Sequence, residues 1–240
     1  MSLLLRAFTI GFEASPRKVA QIPPFPRLQE NNVRTGFLTD DQYDRLAAEC
    51  AKEGLWLRAI LAVAYNFGWR KGELKLRVKQ VNLLERKIRL EVGTTKNGAG
   101  RIVKMTDEVF ELLKLCVQGK QPDDFVFTRE DGSPVLDFRG AWENACERAG
   151  VPDLLFHDLR RSAARNLRRE GAAEGTIMRV GGWKTRSVFE RYNIIDEDDL
   201  DDAAERLNAK RRERVEAQVE HRTSIVEQPE PPVAGSARPM

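Results

Sequence analysis

Between Leu55 and Trp69 the chain reads LWLRAILAVAYNFGW, apolar on nearly every face of a helix. A helix at a protein surface keeps a polar stripe, so one without it has to be surrounded by other elements. The run is also shorter than the ~18–20 apolar residues needed to cross a bilayer. It therefore predicts a central buried helix. At 240 residues the chain is long enough to build one sizeable core around it. A hydrophobic fraction of 41% beside 32% charged residues fits a soluble protein with a heavily charged surface.

The flanking sequence supplies the covering elements. Thr39 followed by Gln42 forms a capping-box pattern and predicts a helix through about Glu53. Gly72 to Arg77 reads as a further short helix. Strict alternation in KIRLEV, residues 87–92, puts Ile88, Leu90 and Val92 on one face of a strand. RIVKM at 101–105 reads as its partner, with the glycine-rich TTKNGAG as the hairpin connection. Helical patterns recur at about 107–118, 137–149, 157–170, 173–180 and 185–192, and FVF at 125–127 is a short apolar piece before the turn EDGSP. Residues 1–34 read as irregular, with IPPFPRLQENN as a surface linker. After Asp198, the residues Leu200, Ala203, Ala204 and Leu207 recur at helical spacing, predicting an amphipathic helix to about Val219. From Glu227 the composition lacks core-forming residues and predicts disorder.

Net charge is +3, but Asp196 to Asp202 is almost wholly acidic, so the chain before it is more basic than the total implies. A basic body is compatible with nucleic acid without requiring it. Cys50, Cys116 and Cys146 are far apart and show no paired spacing, which predicts core or half-buried thiols in a reduced cytosol. With only two histidines, His157 and His221, a zinc site is not expected, nor is any cofactor. The start, MSLLLRAFTIGFEA, has no basic leader and a broken apolar run, so a cytoplasmic location is expected.

The polar residues with chemical potential cluster late in the chain. His157 and Arg160 lie in FHDLRRSAARNL, on what reads as one helix with both side chains on one face, and Trp183 and Tyr192 lie in GGWKTRSVFERY. Arg70 in GWRKGEL and Lys96 in TTKNGAGR complete the set. Two guanidiniums, an ammonium, an imidazole, an indole N–H and a phenol suit attack of a hydroxyl on a phosphodiester without a metal. Each has a plainer reading alone. Arg70 could satisfy helix-end carbonyls, Lys96 could be a solvated turn charge, and Trp183 could be packing. Tyr43 sits in the surface-like first helix and Tyr65 in the buried second one, so neither suits a nucleophile.

Taken together, from roughly Val33 to Ile195, these motifs resemble the tyrosine recombinase (phage integrase) family. The resemblance implies a mainly α fold with a small antiparallel β-sheet, the DNA breaking-rejoining catalytic domain, over residues 35–195. It implies that Arg70 and Arg160 contact the scissile phosphate, that Glu73 orients neighbouring cations, and that Lys96 protonates the leaving 5′ oxygen. His157 would accept the proton of Tyr192, the nucleophile. Trp183 replaces the commoner histidine and can donate a hydrogen bond without shuttling a proton. The expected partner is double-stranded DNA, bound as a homo-oligomer, a tetramer, with no membrane. The expected activity is site-specific recombination or integration for a mobile genetic element, through a 3′-phosphotyrosine. The family's N-terminal clamp domain has no counterpart in residues 1–34, and residues 196–240 read as acidic stretch, helix and tail. Relaxation of DNA in the manner of a type IB topoisomerase, or DNA binding by a non-catalytic relic, are the competing readings.

Overall fold

A computed structural model describes residues 3–25, 36–91, 93, 100–192 and 197–226, grouped into two units that divide after Arg34. The first unit is not irregular throughout: Leu3–Glu13 forms helix α1. Phe8 packs against Phe25 at 5.6 Å between ring centroids, and the Lys18 amide donates to the Gly11 carbonyl at 2.9 Å. The apolar residues of LLLRAFTIGFE are sufficient for a helix. None of them is buried.

In the second unit, α2 (Asp40–Glu53) leads into α3 (Leu55–Phe67), the central helix. Thr39 caps α2 reciprocally with Gln42, as the pattern predicted. Ten of the thirteen residues of α3 are buried, so it is enclosed on most of its circumference. It packs against α2, against α4 (Asp107–Val117) and against α6 (Leu159–Arg169). The helix α5 (Arg139–Arg148) closes the far side of α2. Tyr43 is therefore buried, contrary to its surface reading, because it lies on the face of α2 that meets α3. Its ring stacks on Tyr65 at 4.0 Å and its hydroxyl donates to Glu108 at 2.6 Å.

A small sheet flanks this bundle. Val81–Asn82 (β1), Lys87–Leu90 (β2) and Arg101–Lys104 (β3) form an antiparallel meander, with Ile88 opposite Val103 and Leu90 opposite Arg101. Ile88 and Leu90 are buried as their alternation predicted. β1 is not evident in the sequence because two residues are too few to show alternation. Gly72 to Arg77 is not one helix but a 3₁₀ turn over Lys71–Leu74 followed by extended chain. FVF forms no strand, only an isolated bridge from Phe125 to Arg77.

The last elements are α7 (Glu174–Gly181), the short α8 (Arg186–Phe189) and α9 (Glu197–Val226). α9 runs thirty residues, beyond the expected end near Val219. Leu200 and Leu207 are 63% and 70% exposed, so the stripe is not folded back onto its own domain. The cysteines are buried free thiols, and burial pushes Cys50 and Cys146 up to about 12 and Cys116 to about 11. No described helix is long and apolar enough to cross a membrane. Val92, the connection carrying Lys96, and the tail from Glu227 lie outside the described residues.

Candidate active site

α3 ends at Gly68, whose φ of 65° reverses the chain and directs Trp69 and Arg70 across the ends of α6 and α7. A Cβ at Gly68 would meet the Ala163 methyl at 3.1 Å, so the turn is also a close approach to α6. Trp69 is buried, and its indole N–H donates to the Val180 carbonyl at 3.0 Å. Arg70 then begins the 3₁₀ turn, and its backbone N–H donates to Glu73 Oε2 at 2.8 Å. Its guanidinium reaches Glu73 Oε1 at 3.4 Å and remains partly exposed.

His157 and Arg160 do not share one helix. His157 lies in a 3₁₀ turn, Phe156–Asp158, and Arg160 in the first turn of α6. Asp158 holds that turn, accepting from the Leu155 amide at 2.9 Å and pairing with Arg161 at 2.6 Å. Arg161 is thus occupied, while its neighbour Arg160 is the one turned inward. The two predicted residues nonetheless reach the same neighbour. His157 Nε2 lies 2.9 Å from Tyr192 Oη, and the Arg160 guanidinium carbon lies 5.4 Å from the centroid of the Tyr192 ring.

Arg160 is 1% exposed, although it is an arginine. One terminal nitrogen donates to the carbonyls of Gly68 and Gly181, the second at 2.7 Å, tying the end of α3 to the end of α7. Its Nε and second terminal nitrogen are buried without a partner. The group stacks 4.0 Å above the Trp183 ring. Burial, and after it the charge of Arg70, works against the Arg160 cation, while Glu73 supports it.

Trp183 serves as packing and also presents a donor. Its ring is buried against Phe189 at 5.2 Å and Tyr192 at 5.6 Å, and its indole N–H is buried without a partner. Gly181 makes room for it, since a Cβ there would lie 1.9 Å from the ring. A buried unpaired donor costs about 1–3 kcal/mol, so three of them on two stacked side chains call for an acceptor.

For His157, burial lowers the pKa below the ordinary imidazole value. Arg160, Arg70 and Arg161 lower it further, against a small opposing effect of Asp158. The neutral ring can accept the Tyr192 proton. Tyr43 and Tyr65 are held far above the ordinary phenol value, mainly by burial and then by hydrogen bonds to Glu108 and Asp40.

One residue of this site is not singled out by the sequence motifs. Arg101, at the start of β3, forms an ion pair with Glu73 Oε2 at 2.7 Å, its side chain 6% exposed. Its guanidinium lies 5.2 Å from the Trp69 ring. A signal exists: alternation in RIVKM places Arg101 on the inward face with Val103 and Met105. An inward arginine requires an anion. Among the described residues, no group of His, Cys, Asp or Glu gathers in a way that could hold a metal ion.

The helical bundle with its three-stranded meander, which holds arginines, a histidine and a tyrosine at its site, has counterparts of the same fold among solved structures. The catalytic domain of bacteriophage HP1 integrase superposes with a TM-score of 0.55 at 24% identity, over 72% of this chain and 95% of that one. The chain belongs to the Phage integrase family, whose profile matches residues 36–198. It is 26% identical over 193 residues to the integrase of Salmonella phage P22, covering 75% of this chain and 49% of that protein. Identity to a tyrosine recombinase of Thermosipho africanus is 28% over 194 residues, covering 77% of this chain and 67% of the relative. The chain thus spans about half the length of the phage relative.

Proposed function

We propose that residues 36–198 form the catalytic domain of a site-specific DNA recombinase that cleaves and rejoins strands through Tyr192. The observation that carries this reading is the set of unpartnered donors on Arg160 and Trp183, two groups stacked on each other next to Tyr192 and its contact with His157. In this reading the Tyr192 hydroxyl gives its proton to His157 Nε2 and the phenolate attacks the phosphorus. The bond from phosphorus to the 5′ oxygen breaks, leaving a 3′-phosphotyrosine. Arg70, Arg160 and Trp183 donate to the non-bridging oxygens as negative charge builds there. By resemblance, Lys96 supplies the proton to the departing 5′ oxygen. The 5′ hydroxyl of a partner strand then attacks the phosphotyrosine and restores the phenol. The bond energy is kept in the covalent intermediate, so the exchange needs no nucleotide cofactor.

The experiment is adduct formation on a nicked duplex whose 5′ fragment diffuses away after cleavage. A protein–DNA band that forms at an undiminished rate in EDTA supports the reading. Cleavage that strictly requires a divalent cation rejects it.

A further inference from the structure

We infer that Arg101 is a positioning residue for Arg70: it neutralises Glu73, so that the Arg70 guanidinium stays available to a DNA phosphate. The inference rests on the strand-cleavage reading above only for what Arg70 contacts. Glu73 is 4% exposed, and a carboxylate so enclosed needs a cation. Two guanidiniums compete for it. The Arg101 pair is 2.7 Å long, whereas the nearest Arg70 side-chain approach is 3.4 Å. Arg101 therefore holds the tighter share, and Arg70 meets Glu73 closely only through its backbone N–H, at 2.8 Å. The Arg70 side chain keeps 22% exposure, which leaves a face for an anion.

Arg101 is placed by three segments at once. Its register opposite Leu90 fixes it at the end of the sheet from which the Lys96 connection departs. Its guanidinium lies by the ring of Trp69, the residue before Arg70. One terminal nitrogen lies 2.0 Å from where a Cβ of Gly182 would be, and Gly182 has a φ of 70°, a backbone conformation that favours glycine immediately before Trp183. Its guanidinium is committed to Glu73. Its effect passes through Glu73 to Arg70. Without it, Glu73 is expected to close onto the Arg70 guanidinium, giving the phosphate ligand an internal counter-ion.

The test uses the full chain with Arg101→Gln, Arg101→Lys and the double change Arg101→Gln with Glu73→Gln. Single-turnover adduct formation at saturating protein should fall on the order of 10²-fold in Arg101→Gln. DNA affinity should be nearly unchanged, and Arg101→Lys should retain part of the rate. Removing the competing charge with Glu73→Gln should recover much of the loss in the double variant. A merely structural role predicts a double variant no better than the single one, with rate and thermal stability falling together, and that result overturns the inference. So does wild-type cleavage by Arg101→Gln. A second measurement does not depend on activity. In the DNA-free protein, Arg101→Gln should shift the Arg70 Nε–H resonance and slow its hydrogen exchange, and an unchanged Arg70 signal overturns the inference. If the wild type forms no adduct while the Arg70 signal moves as described, the strand-cleavage reading fails and the Glu73 competition stands.

Discussion

His157 contacts Tyr192 while staying open to solvent on another side, and partial desolvation together with the charges of Arg160, Arg70 and Arg161 lowers its pKa. The sign of the consequence follows from which form is useful. Only the neutral ring accepts the phenol proton, and a lowered pKa keeps it neutral to a lower pH. Cleavage by this chain should therefore hold steady through pH ~6.5, the ordinary imidazole value, and fall only below it. A pH–rate profile checks this, and the acid limb should disappear in His157→Gln on a lower plateau. An acid limb centred above the ordinary value would contradict the assignment. At this scale the sequence is informative wherever a motif fixes a residue's neighbours. His157, Arg160, Trp183 and Tyr192 come together as expected, with Arg70 beside them. For Arg101 it shows an inward-facing arginine but not its partner, because Glu73 lies in another segment of the chain.

Among the elements, α3 carries the greatest structural weight, with Leu57, Ile60, Leu61 and Val63 all at 1% exposure or less. Leu61→Ala should cost about 2–5 kcal/mol, read as a lower urea midpoint with an unchanged slope. The apolar run by itself makes this helix evident, and the capping pair at Thr39 and Gln42 marks the start of α2. Less is legible where geometry depends on partners. The break between the 3₁₀ turn at His157 and α6 comes from Asp158 bonding back to Leu155, which helical periodicity does not reveal. The burial of Tyr43 likewise reflects which face of α2 meets α3. α1 is less evident because none of its residues is buried, so no core-facing stripe marks it.

At the scale of the molecule, the site is built from the ends of α3, α6 and α7 with one edge of the sheet, so tertiary packing assembles residues that lie far apart in sequence. α9 continues beyond this body with its described side chains exposed, Leu200, Leu207 and Val215 among them. A helix of this length with no buried residue among those described is expected to gain its partner on assembly. We propose that this partner is a neighbouring protomer on DNA, where local concentration is high. Cutting the chain after Ile195 should then spare cleavage at a single site and impair strand exchange between two sites. Equal exchange by the truncated and complete chains, measured on paired-site substrates, would remove that role.

Peptide mapping of the covalent adduct addresses the assignment of the nucleophile with the fewest intermediate steps. The protein is trapped on a nicked duplex, digested and sequenced by mass spectrometry. The nucleotide remnant should reside on Tyr192 alone, and Tyr192→Phe should form no adduct while binding the duplex as the wild type does. A remnant on any other residue, or an adduct formed by the Phe variant, would contradict it.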